Sequence, residues 1–216
     1  MTHPITRRHL LALTSGAAAL AATGLSAQTT DTTTAEAPAT PNYGIGDPAA
    51  KVQILEFLSF TCPHCEHFHR DVYPKLKADY IDTGKVRLEY NEVYFDQLGL
   101  LGAMLARCGG EMRYMGITDM LYDKQMEWAT AETLDGAVAE LMKIGRAAGM
   151  DDATMDACLR DQAMAEALVA NYQKNIETHW PDDSFGGTPS FIINGTQHSN
   201  MDYEELKAVI DAELAK

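Results

Sequence analysis

The sequence has few basic side chains. Its 216 residues include 17 Lys and Arg against 31 Asp and Glu, which gives a net charge of −14 at pH 7. A surface of this sign repels phosphate backbones, so we do not expect the protein to bind nucleic acid. Hydrophobic residues make up 46% and charged residues 22%, which is ordinary globular usage and disfavours fibrous, coiled-coil and wholly disordered classes.

Long hydrophobic runs are also lacking. The uncharged stretch 10–24 is too short, and too rich in Ala, Thr, Ser and Gly, to predict a membrane span. It follows Arg7 and Arg8 and leads to a small-residue cleavage site at 25–27, an arrangement typical of an export signal. We predict a twin-arginine-like signal peptide over residues 1–27, with an ordinary Sec signal as the alternative. Either signal predicts a periplasmic location.

The segment after the signal is poor in apolar side chains. Residues 28–43 are mainly Thr, Ala and Pro. Such a composition does not offset the entropy lost on ordering, which predicts a flexible linker. The folded domain is then predicted to span residues 44–216. Its sequence shows no internal repeat, no heptad pattern and no added dimerisation domain, which favours a soluble monomer.

The first part of this domain alternates strand and helix patterns. Residues 52–60 are apolar on both parities, as in a central strand that is buried on both faces. A Cys-Pro-His-Cys motif, Cys62–Cys65, follows at once, and apolar residues then recur every four positions, which predicts a helix with both cysteines in its first turn. Pro74 lies inside that helix and predicts a kink near residues 69–70. A second strand is predicted over about residues 86–95.

The rest of the chain is mostly helical. From about residue 97 to residue 180 one helical pattern follows another, which predicts an inserted helical subdomain over about 97–180. Strand character returns at Phe191–Ile193, after a Gly-Gly-Thr-Pro sequence and before an Asn-Gly hairpin signal. A last amphipathic helix is predicted over about residues 202–214. The predicted fold class is α/β.

The order of these elements resembles the thioredoxin fold: a strand, a CxxC motif at a helix start, a second strand, a proline before a hairpin, and a closing helix. With its helical insertion, the chain resembles the DsbA family of exported disulfide oxidoreductases over nearly its whole length after the signal. The resemblance implies a thioredoxin fold with a helical subdomain between the second strand and the strand after a cis-proline. One residue departs from the pattern. The residue before Pro189 is Thr188. The best-known DsbA proteins usually have Val at this position, and a Thr there is more typical of the disulfide isomerases.

The first cysteine of the motif is the predicted nucleophile. A thiolate attacks a disulfide, and a cysteine ordinarily has a pKa of about 8.5. Cys62 stands at a helix start, whose N–H groups and dipole favour an anion, and His64 can add a donor or a positive charge. Pro63 suits the first turn because its missing N–H is not needed there. Stabilising the thiolate stabilises the dithiol form, so the Cys62–Cys65 disulfide is predicted to be a strong oxidant.

The second cysteine, one helical turn further in, is predicted to be the less exposed, resolving thiol. A metal site is the alternative for the motif, because soft ligands crowd into eight residues: Cys62, His64, Cys65, His67 and His69. A helix start points these side chains in different directions, and no second Cys or His pair is nearby in sequence. We therefore favour a redox-active disulfide with no metal and no other cofactor, and we interpret His67 and His69 as exposed polar residues.

Glu56 is the candidate proton carrier. It has the same strand parity as Ile54, Leu58 and Phe60, so its carboxyl is predicted to enter an apolar side of the sheet, where burial raises a carboxyl pKa. The resemblance implies that Glu56 exchanges a proton with Cys65, directly or through a water. A Glu that reaches solvent at a sheet edge is the alternative.

The bond between Thr188 and Pro189 is predicted to be cis. About 5% of X–Pro bonds in folded proteins are cis, so this expectation rests on the resemblance and on the Gly-Gly-Thr-Pro context. In the fold that the resemblance implies, this loop lies against the CxxC motif. Proline there has no N–H to compete for the thiolate, and the Thr188 backbone can pair with an extended client. An ordinary turn is the alternative.

Two more cysteines, Cys108 and Cys158, lie on apolar faces of predicted insertion helices. In an oxidising compartment, an even number of remaining cysteines favours a disulfide between them. Closing a loop of about 50 residues stabilises a fold by roughly 4 kcal/mol in the chain-entropy model. We predict a structural disulfide between them, with two buried thiols as the alternative.

Together these features predict a periplasmic thiol–disulfide oxidoreductase that donates its disulfide to reduced or unfolded exported proteins. Catalysis then needs a reoxidant, and the resemblance implies a quinone-linked membrane protein of the DsbB type. A disulfide isomerase or a partner-specific reductase is the alternative within the class. A client-holding chaperone or a metal-binding protein is the alternative outside it.

Overall fold

The computed structural model describes residues 40–216, so the predicted signal peptide at 1–27 and most of the predicted linker at 28–43 lie outside the described residues. The strands are β1 Gly44–Ile45, β2 Val52–Leu58, β3 Val86–Glu92, β4 Ser190–Ile193 and β5 Thr196–His198. The helices are α1 Pro63–Asp71, α2 Tyr73–Leu76, α3 Gln97–Cys108, α4 Glu111–Asp123, α5 Gln125–Trp128, α6 Leu134–Ala147, α7 Asp152–Leu159, α8 Gln162–His179 and α9 Tyr203–Ala215, with a π-helical turn at Lys77–Ile81 after α2.

The strands form one sheet in the order β1-β3-β2-β4-β5. β2 and β3 are parallel, and the other neighbouring pairs are antiparallel. β2 is therefore the central strand, which explains why residues of both parities are buried along it. The sheet, the helix after β2 and the β4–β5 hairpin confirm the predicted thioredoxin fold. Helices α3–α8 lie between β3 and β4, which confirms the predicted place of the helical insertion.

Both long strands end earlier than the apolar pattern predicts. β2 ends because the chain turns, with the Cys62 N–H donating to the Ser59 carbonyl over 3.1 Å. β3 ends because the chain leaves the sheet towards Asp96, whose side chain caps α3. Apolar composition predicts that a segment is buried, but a buried turn has the same composition as a buried strand.

Pro74 breaks the helix that follows the CxxC motif. The break lies at Val72, between α1 and α2, slightly beyond the predicted kink at residues 69–70. A proline ring clashes with the carbonyl four residues earlier and leaves it without its helical donor. That carbonyl belongs to Arg70, so α1 ends one residue after it.

Four of the six insertion helices, α3, α6, α7 and α8, begin at side-chain caps. Asp96, Thr133, Asp151 and Asp161 each accept a hydrogen bond from the backbone N–H three residues later, as polar N-cap residues do. The four-residue helix α5 is not predicted from the sequence because one turn is too short to show a period. Within residues 40–216, no helix is both long and apolar enough to cross a membrane.

The end of the predicted linker packs against the domain. The Asn42 side chain donates to Asn91 and accepts from Asn171, each over 2.8 Å. The Tyr43 ring packs edge-on against Tyr114 with 4.9 Å between centroids. The sequence assigns these residues to a flexible segment because the composition of 28–43 as a whole is polar, whereas the structure gives two of them specific partners.

The hydrophobic core lies on both faces of the sheet. The main cluster joins β2, α1, the insertion and α9, and includes Ile54 and Leu58. A smaller cluster on the other face contains Phe57, Val93, Trp180 and Ile192. Because side chains alternate along a strand, Glu56 has the same orientation as Ile54 and Leu58 and points into the main cluster.

Candidate active site

The CxxC motif occupies the junction of β2 and α1. Cys62 is the N-cap residue of α1, with extended backbone angles (φ −82°, ψ 119°), and its carbonyl accepts the first helical hydrogen bond from the Glu66 N–H. Pro63 is the first helical residue, where a missing N–H has no cost. The Cys62 sulfur therefore lies at the helix N-terminus, where unpaired N–H groups favour an anion.

The Cys62 sulfur is half-buried and mostly surrounded by donors. Its pKa falls from 9.0 to about 5, chiefly because the Cys65 thiol donates to it. Burial opposes this change, while the backbone N–H groups of Cys65 and His64 support it. The Thr188 carbonyl, 3.3 Å from the sulfur, accepts from the thiol and favours the protonated form. The donors outweigh that single acceptor, so the net direction is towards the thiolate.

The Cys65 sulfur has the opposite character. Its side chain is fully buried, and burial raises its pKa well above 9.0, with the neighbouring Cys62 adding to the rise. Cys62 and Cys65 are not bonded to each other, so this is the dithiol form. One sulfur is ionised at neutral pH while the other stays protonated and donates to it. Two adjacent groups with separated pKa values are typical of a reactive site.

The exposed part of the motif consists of Pro63 and His64. The His64 contribution to Cys62 comes from its backbone N–H. Its imidazole points towards that of His67, with the two ring centroids 6.3 Å apart. The donor that the sequence assigns to His64 is therefore present, but the main chain supplies it.

The loop before β4 completes the surroundings of Cys62. The Thr188–Pro189 peptide bond is cis, and Gly187 before it has φ +119°, which a side chain would strain. The Ser190 hydroxyl donates to the Gly187 carbonyl over 2.6 Å and closes the turn. A cavity of about 360 Å³ lies along this loop, and the residues that line it include Trp180, Gly186, Thr188, Gln197 and His198.

Glu56 lies beneath the motif, inside the main core. It is 3% exposed, and burial raises the pKa of its carboxyl to about 8. It faces Tyr90 on β3 and Phe191 on β4. Among the described residues, neither its Oε2 atom nor the Tyr90 hydroxyl has a hydrogen-bond partner. The described residues contain no direct hydrogen bond between Glu56 and Cys65, although both belong to the same side of the sheet.

Cys108 and Cys158 form a disulfide between α3 and α7, with their Cα atoms 6.0 Å apart. Both residues are partly buried. The bridge lies within the insertion and joins the last residue of α3 to the end of α7. It is separate in the chain from the Cys62–Cys65 pair.

The residues of the insertion that contact the active-site turn are not evident from the sequence. Gln125 donates to the carbonyls of Phe60 and Cys62 over 2.8 and 3.0 Å. The Tyr122 hydroxyl donates to the Ser59 carbonyl over 3.4 Å. No pattern in the sequence distinguishes this glutamine from a surface residue, because its partners are backbone atoms some 60 residues away.

A buried ion pair at the end of β3 is likewise not evident from the sequence. Arg107 Nε donates to Glu92 over 2.8 Å, and the hydroxyls of Tyr94 and Tyr114 donate to the same carboxylate over 2.7 and 2.6 Å. Arg107 also donates to the Pro41 carbonyl over 2.9 Å. Three donors satisfy the carboxylate, which a buried charge requires. The pair joins β3, α3, α4 and the chain before β1.

His69 is not the exposed residue that the sequence predicts. Its side chain is 10% exposed, its Nε2 atom lies 2.8 Å from Asp119 Oδ1, and its ring stacks on Tyr73 with 4.7 Å between centroids. The prediction was wrong because α4 of the insertion covers this face of α1. His67, by contrast, is 58% exposed. In the described part of the chain, no three His, Cys, Asp or Glu side chains come together as a metal site.

The fold and the site define a thioredoxin-fold protein with two unequal thiols at a helix start. Three comparisons give the same assignment. The family model described as Thioredoxin matches residues 39–212. A Rickettsia bellii protein, provisionally named a protein-disulfide oxidoreductase, is 33% identical over 168 residues, which cover 77% of this chain and 62% of that protein. Disulfide bond formation protein D of Bacillus subtilis is 26% identical over 181 residues, which cover 79% of this chain and 76% of that protein.

A solved structure extends the likeness to three dimensions. Wolbachia pipientis alpha-DsbA1 superposes with a TM-score of 0.73 at 25% identity, covering 82% of this chain and 93% of that one. The chain therefore belongs to the thioredoxin family and is a DsbA-like member of it. It spans about three fifths of the length of the rickettsial relatives that it matches.

Proposed function

We propose that this protein is a periplasmic thiol–disulfide oxidoreductase that donates its Cys62–Cys65 disulfide to exported proteins. The opposite displacement of the two thiol pKa values supports this proposal more than any other observation. Cys62 has a pKa of about 5, and that of Cys65 lies well above 9.0. Stabilising the thiolate stabilises the dithiol form, so the disulfide form readily transfers its bond to a client.

The reaction takes place in two exchanges. A client thiolate attacks the Cys62 sulfur, the Cys62–Cys65 bond breaks, and Cys65 leaves as a thiolate that takes up a proton. A second client thiolate then attacks the client sulfur of the mixed disulfide, which forms the client disulfide and releases Cys62 as a thiolate. Two electrons pass from the client to the enzyme. The low pKa of Cys62 makes it a good leaving group in the second exchange.

Glu56 is the proposed proton donor to Cys65. A carboxyl with a pKa of about 8 is mostly protonated at neutral pH and can supply the proton that the leaving Cys65 thiolate needs. Both side chains are buried on the same side of the sheet. Since they make no direct hydrogen bond in the described structure, transfer requires a bridging water or a small side-chain movement.

Clients are proposed to bind as extended segments along the cis-proline loop. The Thr188 carbonyl already lies 3.3 Å from the Cys62 sulfur, so a peptide that pairs with this backbone brings its own sulfur to the same place. The polar cavity beside the loop offers backbone and side-chain partners to varied client sequences. Folding proteins expose such segments, which fits an enzyme that acts on many exported clients.

The remaining parts of the proposal concern the cellular setting. Each turnover consumes the disulfide, so a reoxidant must restore it, and a quinone-linked membrane protein of the DsbB type is proposed. A signal peptide at 1–27 would deliver the protein to the periplasm, where it would act as a monomer. An isomerase or partner-specific reductase is the second candidate, and Thr188 before the cis-proline favours it.

Oxidation of a peptide with two cysteines tests the proposed function. The disulfide form should oxidise one peptide per enzyme molecule, and Cys62→Ser should abolish this reaction. The double variant Cys108→Ser/Cys158→Ser is the matched control, because it removes two cysteines outside the site. Insulin reduction without peptide oxidation would favour the reductase. Bound metal without thiol exchange would favour a metal-binding protein, and suppressed client aggregation without exchange would favour a chaperone.

A further inference from the structure

One amide of the insertion holds the backbone on both sides of the turn before α1. Gln125 Nε2 donates to the carbonyl of Phe60 over 2.8 Å and to that of Cys62 over 3.0 Å. Gln125 is 3% exposed, so these bonds have little competition from water. A single side chain therefore fixes the carbonyl groups of the two residues on either side of Thr61.

The surroundings of Gln125 make this contact rigid. Trp128, at the other end of α5, is fully buried and donates to the Leu121 carbonyl over 2.9 Å. Gly102 on α3 lies between Trp128 and Phe60, and a Cβ atom there would come within 3.0 Å of the one ring and 3.2 Å of the other side chain. The insertion is thus in close contact with the active-site turn.

The Cys62 carbonyl is the important partner of Gln125. It has two donors, the Glu66 N–H at 3.2 Å and the Gln125 amide. Its orientation sets the start of α1 and so directs the N–H groups of His64 and Cys65 towards the Cys62 sulfur. Without Gln125, one helical hydrogen bond is left to hold the N-cap geometry.

The contact matters more in one redox form than in the other. In the dithiol form the Cys62 side chain is held only by non-covalent contacts. In the disulfide form the bond to Cys65 ties the same residue to the first turn of α1. We propose that Gln125 is a positioning residue that holds Cys62 in its N-cap geometry in the dithiol form, so that the insertion sets the reactivity of the nucleophile. The proposal rests on the proposed thiol exchange at Cys62.

The test compares Gln125→Met, which keeps the size but removes the donor, with Gln173→Met, an exposed glutamine on α8. Thiolate absorbance at 240 nm against pH gives the pKa of Cys62 in each folded dithiol protein. Denaturant unfolding of both redox forms gives their stabilities. Gln125→Met should raise the pKa by roughly half to one unit, a three- to tenfold loss of thiolate below that pKa, and should destabilise the dithiol form more than the disulfide form. Gln173→Met should change neither.

An unchanged Cys62 pKa, or an equal loss of stability in both redox forms, would overturn the proposal and leave Gln125 as an ordinary packing residue. If Gln125→Met does not fold as a dithiol, Gln125→Asn, which keeps an amide one methylene shorter, decides the question by the same two measurements. Failure of both variants to fold in the disulfide form also overturns it. Peptide oxidation by the unaltered protein is measured in parallel, so that absent oxidation with a shifted pKa refutes the proposed function alone.

Discussion

The pH dependence of stability should differ between the two redox forms, because only the dithiol form contains an ionised Cys62. The folded pKa of Cys62 is lowered from 9.0 to about 5. A lowered pKa contributes stability that is present above the unfolded value and is lost as the pH falls through the folded value. The unfolding free energy of the dithiol form should therefore rise, relative to that of the disulfide form, between about pH 5 and pH 9.

The size of this effect follows from the shift. One proton fewer is bound in the folded state across the window, which corresponds to about 1.4 kcal/mol per pH unit and about 5 kcal/mol in all. The sulfur is half-exposed, and solvent screening reduces that limit, so we expect about 2 to 3 kcal/mol. Burial raises the pKa of Glu56 to about 8, so its ionisation lowers the unfolding free energy as the pH rises from about 4.5 to about 8. Because burial is its cause, we expect the same loss in both redox forms, so that it cancels in the difference.

Urea unfolding of both forms at several pH values measures the difference directly. The oxidised protein provides the reference, and a Cys62→Ala variant, which cannot form the thiolate, should remove the slope from the reduced protein. The Cys65 thiol stays protonated throughout because its pKa lies well above 9.0. A difference that stays constant from pH 5 to pH 9 would show that the helix start does not stabilise a thiolate at Cys62, and the reasoning would be refuted.

Three further predictions concern single sites. Glu56→Gln should slow peptide oxidation at neutral pH with little loss of fold, and equal rates across pH 5–8 would return Glu56 to a structural role. Replacing Cys108 and Cys158 together by Ser should lower stability by up to about 4 kcal/mol while leaving peptide oxidation intact, and lost catalysis would contradict their structural assignment. His64→Ala keeps the backbone N–H, so the Cys62 pKa should rise by less than one unit in a 240 nm titration, and a return to about 8.5 would show that the ring is the main donor.

Patterns that follow from local chemistry could be predicted from the sequence. The shared strand parity of Glu56, Ile54 and Leu58 placed the Glu56 carboxyl on an apolar face of the sheet. The Cys-Pro-His-Cys motif, with Pro63 in the first turn, indicated a helix start. The helical insertion was visible because amphipathic helices of a dozen residues repeat their apolar positions several times. The resemblance added the thioredoxin fold and the cis bond before Pro189, which no periodicity contains.

Contacts between distant segments could not be predicted in the same way. Gln125 bonds to backbone carbonyls of a turn more than 60 residues earlier, and any residue type can supply those acceptors. Burial of the Glu92–Arg107 pair depends on contacts between β3, α3 and α4, which composition does not reveal. His69 looked exposed because its partner Asp119 comes from another helix. In each case the signal lies in three-dimensional packing and not in spacing along the chain.

The reduction potential of the Cys62–Cys65 disulfide shows whether this bond is the strong oxidant that the two unequal thiols predict. Equilibration with mixtures of reduced and oxidised glutathione, followed by separation of the dithiol and disulfide forms, gives the potential. The unequal thiols predict a value above about −200 mV, nearer to that of a disulfide donor than to that of a cytosolic reductant. A potential near −270 mV, as in thioredoxin, would show that the dithiol form has no special stability and that the disulfide is not a strong oxidant.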